Sequence, residues 1–158
     1  MSDINYQPSI FYFKSIKSNF YQIPIYQRSY SWYKDKALLF FEELILDKAP
    51  NSLFCGSTIT KTIKDEHLEI IDGQQRFITS MIILAAIRDI TKDHLNREDP
   101  AYNKIKKELD NYIFDEPLES NEKVPRVKVG SLISKTFDKI VIQDTDFKEK
   151  SKIKINTV

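Results

Sequence analysis

The stretch that most constrains this chain is Leu68-Glu69-Ile70-Ile71-Asp72-Gly73-Gln74-Gln75-Arg76-Phe77-Ile78-Thr79. Leu68, Ile70 and Ile71 are apolar and partly β-branched, as a covered strand requires. From Phe77 the apolar positions take helical spacing: Phe77, Ile78, Met81, Ile82, Leu84 and Ala85. That run is apolar almost all round, which predicts a largely buried helix ending near Asp89 or Thr91. Arg88, Asp89, Lys92 and Asp93 mark its polar end. Gly73 permits a tight turn between strand and helix. The first helical turn then presents free N–H groups and a partial positive charge. Arg76 adds a full charge on a planar fork of donors. Together these make an anion seat, and phosphate is the usual occupant. A plainer reading stands beside it: Asp72 as the helix N-cap, Arg76 paired with a nearby carboxylate. The local residues leave both open. The turn is not a Walker loop, and the only glycines, Gly56, Gly73 and Gly130, form no GxGxxG.

A chain of 158 residues fits one domain with enough core to fold alone. An apolar fraction of 41% and a charged fraction of 30% fit a soluble globular protein. Net charge is +1, so no global basic field advertises DNA, although a local basic patch stays open. Cys55 is the sole cysteine, which fits a reducing compartment, and a cytoplasmic location is expected. His67 and His94 are the only histidines, an inventory that argues against a Cys/His zinc site. The N-terminus does not read as a signal peptide and no apolar run reaches membrane-spanning length, so no membrane partner is expected.

A second informative stretch is Ile23-Pro24-Ile25-Tyr26-Gln27-Arg28-Ser29-Tyr30-Ser31-Trp32. It follows a strand expected over 20–25, in which Pro24 argues for a sheet edge or a departure from the sheet. Gln27 can donate and accept, Arg28 can grip phosphate or carboxylate in two-point fashion, and Tyr26, Tyr30 and Trp32 offer flat faces. The alternative is an aromatic loop capping the core, with Arg28 solvated. Most of the Phe and Tyr residues precede Glu42, which suits either a core or a stacking surface.

Elsewhere the pattern predicts a short helix over 9–17 and a helix over 34–47. The latter has Leu38, Phe41, Leu44 and Ile45 inward and Glu42 and Glu43 solvated. A long strand over 53–63 should form a hairpin with 68–71 through the polar turn Lys64-Asp65-Glu66-His67. Cys55 reads as a small buried residue there, and Gly56 as a point of close approach. A helix over 101–113 carries Tyr102, Ile105, Leu109 and Tyr112 or Ile113 on one stripe. An acidic loop over 115–123, a short strand over 124–129 and a helix over 131–142 capped by Ser131 complete the pattern. The tail 143–158 is polar and lacks a domain's worth of core, so a continuation into something longer is expected.

Two of these blocks, Ile23–Trp32 and Ile71–Arg76, resemble the N-terminal domain of GmrSD-type restriction systems, which also occurs in SspE-like phage-defence proteins. Phe54-Cys55-Gly56-Ser57-Thr58-Ile59 is similar to the family's Phe-x-Gly-Ser strand, and order and spacing agree. The resemblance implies an α/β (α+β) fold, a ParB/sulfiredoxin-like small mixed sheet with flanking helices, over 1–142. It implies a nucleotide-binding, often NTP-hydrolysing, domain that governs cleavage of modified phage DNA. Carried over, Tyr26, Gln27 and Arg28 fall in the first motif, and Asp72, Gly73, Gln74, Gln75 and Arg76 in the second. The implied roles are nucleotide binding for Tyr26, Gln27, Arg28, Gly73, Gln74 and Arg76, and catalysis for Asp72, Gln75 and Arg76. The implied cofactor is an NTP, with Mg²⁺ held through water by Asp72 as one option. Implied partners are modified DNA and a nuclease domain or subunit, with a homodimer also open. Full-length relatives usually continue to an HNH-type nuclease. Its histidine-rich metal site cannot be built from His67 and His94, so this chain is not expected to cut DNA by that route. The competing readings are a ParB-like module binding modified DNA and a non-catalytic partner or remnant of a defence nuclease.

Overall fold

Two helical turns of buried aliphatic and aromatic side chains, Phe77, Ile78, Met81 and Ala85, lie against one face of a mixed sheet and form its core. The computed structural model describes residues 13–46, 56–115, 123–130 and 133–143. In chain order these form a 3₁₀ turn (Phe13–Ser18), β1 (Phe20–Ile23), α1 (Lys34–Leu46), β2 (Ile59–Lys64) and β3 (His67–Asp72). Then follow α2 (Gln74–His94), α3 (Pro100–Ile113), β4 (Phe114–Asp115), β5 (Val124–Pro125) and β6 (Val127–Val129). A single α turn, α4 (Ser134–Phe137), and a π-helical turn (Asp138–Ile142) close the described chain. The main sheet has the order β2-β3-β1-β6, and β4 and β5 pair separately. The expected α/β architecture with a mixed sheet is borne out.

Parallel pairing sets the geometry. β1 runs parallel to β3, with Tyr21 opposite Leu68, and parallel to β6, with Ile23 opposite Val129. β2 closes the outer edge as an antiparallel hairpin with β3. Side chains alternate across a strand, so Tyr21, Ile23, Ile70, Val127 and Val129 share the buried face. Tyr21 meets Phe77 of α2 with ring centroids 4.8 Å apart. Burial pushes the Tyr21 hydroxyl up to about 12.

Several sequence expectations are corrected here. β1 is interior, so of the two readings of Pro24 the edge falls and the departure from the sheet holds: the strand expected over 20–25 ends at Ile23, and Pro24 falls one residue past its last paired position, so the ladder loses no donor. Within the long strand expected over 53–63, residues 56–58 are not in a strand, β2 runs from Ile59 to Lys64 with all six residues exposed, and 53–55 lie outside the described residues. The strand over 68–71 is buried on one face only, Ile70 being inward and Ile71 exposed. On α1, Phe40 is the buried contact, edge-on to Trp32 at 5.3 Å, while Leu38 and Phe41 are exposed. Leu44 is half-buried, and the burial of Ile45 lies outside the described residues. On α3, Ile105 is exposed where the stripe predicted burial, whereas Tyr102, Leu109 and Ile113 are buried as expected. The strand expected over 124–129 is two short pieces split by Arg126. The expectations for Cys55 and Ser131 and those for the tail beyond residue 143 lie outside the described residues.

Buried charge marks the divided strand at Arg126 and one further departure, at the end of α2. Arg88 and Asp89, expected at the polar end of α2, are 3% and 1% exposed, and the helix runs on to His94. Arg88 Nε donates to Asp89 Oδ1 at 2.9 Å, and Nη1 donates to the Val141 carbonyl at 3.1 Å. The pair therefore fastens the π turn to α2, and a buried charge with such partners is costly to leave alone. Arg126 turns inward between β5 and β6. Its Nε donates to the carbonyls of Asn111 and Phe114 at 2.9 and 3.0 Å, and Nη2 donates to Asp115 Oδ1 at 2.6 Å.

Asp110 is the remaining buried carboxylate of this region, and Lys106 and Lys123 both donate to its Oδ2 at 2.9 Å. Burial pushes this carboxyl up, but the two lysine hydrogen bonds outweigh it and hold it below the usual carboxylate range. A depressed folded pKa contributes stability above the unfolded value, near 4, and that stability is lost as pH falls through the folded value. Asp110→Asn should lower Tm at pH 7 by about 2–4 °C, equivalent to roughly 1 kcal/mol in a domain of this size. Thermal melts should show the gap to the parent closing as pH is lowered toward 3.

Candidate functional site: the α2 N-terminus

Because β1, β3 and β6 are parallel neighbours, their carboxyl ends emerge at one edge of the sheet. In open α/β sheets that edge is where ligands are held. β3 ends at Asp72, and α2 starts immediately after it with Gly73 as its N-cap. Gly73 has φ +85°, a left-handed conformation that glycine adopts without penalty. Gly73 has no side chain to cap with, and among the described residues no side-chain cap hydrogen bond is made at this helix end. The reading of Asp72 as the cap is therefore overturned: Asp72 is exposed and still belongs to the strand, opposite Ile59. A side-chain cap would have occupied the amide donors of the first turn.

Three separated blocks converge on this helix end. Residues 56–58 pass directly over Gly73. A Cβ there would stand 2.7 Å from Thr58 Oγ1 and 2.9 Å from the Ser57 carbonyl. Gly56, at φ +94°, lies against the Arg76 guanidinium, and a Cβ on it would be 2.8 Å from Cζ. Gly56 is thus a point of close approach, as expected, but the group approaching is Arg76. Arg76 Nη2 donates to the Ser57 carbonyl at 2.9 Å, and its Nε is buried without a partner. Among the described residues no carboxylate pairs with Arg76. The alternative of a simple ion pair has no support there.

The loop after β1 arrives from the other side. Gln27 Nε2 donates to the Ile71 carbonyl at 3.0 Å, at the end of β3. Gln74 and Gln75 are 5% and 4% exposed. Gln74 Nε2 donates to the Arg28 carbonyl at 3.1 Å, and its Oε1 is buried without a partner. Gln75 Nε2 donates to the Ser29 carbonyl at 3.2 Å while its Oε1 accepts from the Ser31 N–H at 2.8 Å. Tyr30 and Thr79 join their hydroxyls at 2.9 Å beneath the loop, and burial raises the Tyr30 pKa. The Arg28 side chain is exposed. Tyr26 is also exposed and donates its hydroxyl to Glu69 Oε1, a bond that raises its own pKa.

The structure therefore brings Gln27, the Arg28 backbone, Asp72, Gly73, Gln74, Gln75 and Arg76 to one edge, with Tyr26 beside them over β3. Sequence reasoning missed Ser57 and Thr58, which pack on Gly73, and the Tyr30–Thr79 and Tyr26–Glu69 pairs. Ser57 and Thr58 lie in the block that resembles the family's Phe-x-Gly-Ser strand, but no site role was expected of them there. Among the described residues, no group of three or more His, Cys, Asp and Glu side chains gathers as a metal site, and no helix is long and apolar enough to cross a membrane.

The fold and this edge define an α/β domain in which parallel strands deliver an uncapped helix N-terminus and two arginine-bearing segments to one place. The family model for the GmrSD restriction endonuclease, N-terminal domain, matches residues 10–157, nearly the whole chain, and the chain belongs to that family. It is thereby placed among components of restriction systems. No curated protein matched it.

Gly73→Ala tests the geometry of the turn. A left-handed conformation on alanine, together with a Cβ 2.7 Å from Thr58 Oγ1, should cost about 2–3 kcal/mol. Urea unfolding should register this as a lower midpoint with an unchanged slope.

Proposed function

We propose that this chain is a nucleotide-binding regulatory or sensor domain of a modification-dependent anti-phage restriction system, acting with a nuclease domain or subunit on modified DNA. The observation that carries the reading is the uncapped start of α2, with Arg76 laid across Gly56 beside it. Helix N-termini attract phosphate through free N–H groups and the positive end of the macrodipole. In this reading the amides of Gly73–Arg76 and the Arg76 fork take phosphate oxygens, and Arg28 approaches from the loop after β1. Positioning and charge neutralisation are what phosphoryl-group chemistry most requires.

Mg²⁺ is usually held by one or two carboxylates together with substrate phosphates. Asp72, exposed at the end of β3 and adjacent to Gly73, fits that requirement. It would hold the hydrated ion, whose role is to neutralise developing phosphate charge.

The test is a thermal shift with each of the four ribonucleoside triphosphates, with and without Mg²⁺. At a ligand concentration one hundred times Kd, binding should raise Tm by roughly 5–10 °C. Arg76→Ala should abolish the rise, and Arg76→Lys, which keeps the charge but loses the fork, should retain a fraction of it. No rise with any nucleotide would overturn the proposal. DNA binding without nucleotide, falling steeply with salt, would replace it with a DNA-reading module.

A further inference from the structure

Gln74 and Gln75 are adjacent on a helix, so their side chains leave the axis about 100° apart. Both nevertheless reach the same short loop, which must wrap across the first turn of α2 rather than touch one side of it. Between them they bond the backbone at three of the loop's four residues 28–31: the carbonyls of Arg28 and Ser29 and the N–H of Ser31. Gln75 does this with both ends of its amide, in the manner of a short stretch of β ladder. On the other side of Arg28, the Gln27 side-chain amide is tied to the carbonyl of Ile71, the penultimate residue of β3. The backbone of Arg28 is thus fixed from both directions, while its guanidinium stays exposed.

We infer that Gln75 is a positioning residue, assisted by Gln74, that presents Arg28 to the ligand at the α2 N-terminus, and that it does not touch the ligand or the attacking water itself. The inference rests on the proposed nucleotide site and alters the role expected there for Gln75. Using this amide to orient water would require breaking two bonds made at a position 4% exposed. Unmaking these part-buried hydrogen bonds leaves the buried Gln75 amide without its partners, which is costly. Arg28 carries the only full charge in the loop, so a ligand gains most from the loop through that side chain.

The experiment has two arms. The first needs no nucleotide. Trp32, the only tryptophan, directly follows Ser31 and reports on the placement of the loop. Gln75→Met keeps side-chain length and removes the amide. It should expose Trp32, seen as a red-shifted emission with stronger acrylamide quenching, and the Ser31 amide should exchange with deuterium on the order of tenfold faster. Gln75→Glu keeps the acceptor for Ser31 but not the donor to Ser29, and serves as the second variant if the methionine protein does not fold. In it the Ser31 amide should stay slow while the Trp32 spectrum still shifts. The second arm is a double-mutant cycle on nucleotide affinity with Arg28→Ala. If Gln75 acts through Arg28, Gln75→Met should weaken affinity in the parent yet change it by less than about twofold in the Arg28→Ala background. Losses that multiply, or a Trp32 spectrum and Ser31 exchange rate that do not change, would overturn the inference. If no nucleotide binds, the functional proposal falls, and the first arm still decides whether Gln75 holds the loop.

Discussion

Phe20–Gln22 and His67–Glu69 run side by side in the same direction, so whatever follows each strand leaves the sheet at the same end. That parallel pair governs everything else in this molecule. The loop 24–33 and the first turn of α2 are separated by about forty residues of sequence, yet they adjoin because their strands are neighbours. An antiparallel arrangement of the same two strands would have sent them to opposite ends, and the glutamines of α2 would have had no loop to hold. The core serves this pairing: Tyr21, Ile23 and Ile70 point to one face, where Phe77, Ile78 and Met81 of α2 cover them.

The helix start itself turns on a choice between neighbours. Had Asp72 capped α2, its carboxylate would have taken up the amide donors and placed a negative charge where an anion would sit. Gly73 caps instead, in a left-handed conformation, and Asp72 stays in the strand. The cover over Gly73, supplied by Ser57 and Thr58, leaves no room for a Cβ, so glycine is required twice over, by torsion and by space. Arg76 lies on the bare backbone of Gly56 for the same reason. Two of the chain's three glycines are therefore committed to one helix end.

Polar groups do more inside this domain than its apolar pattern suggests. Arg88 and Asp89 bind the π turn, Arg126 joins the end of α3 to β4 and the start of β6, and Gln75 and Tyr30 fasten a loop to a helix. Buried polar groups of this kind stabilise only when their partners are in place, so they define one arrangement more sharply than aliphatic contacts do. They also account for the places where simple patterning failed, such as the extended α2 and the divided strand at Arg126.

Local chemistry was enough to read some features from the chain alone. Gly73 between an apolar strand and an apolar helix gave the β3–α2 unit, since torsional freedom and hydrophobic period are properties of a few adjacent residues. The hairpin at Asp65-Glu66 and the helices α1 and α3 were legible for the same reason, and three motif blocks pointed to the family. What the sequence could not give was every feature defined by a distant neighbour. Which strand lies at the edge, which face of α1 is covered, whether Asp72 or Gly73 caps α2, and what Gln74 and Gln75 grasp all depend on contacts across dozens of residues. An amide that bonds a loop carbonyl and one that bonds a ligand are the same side chain; only the packing of β1 beside β3 decides which partner is within reach.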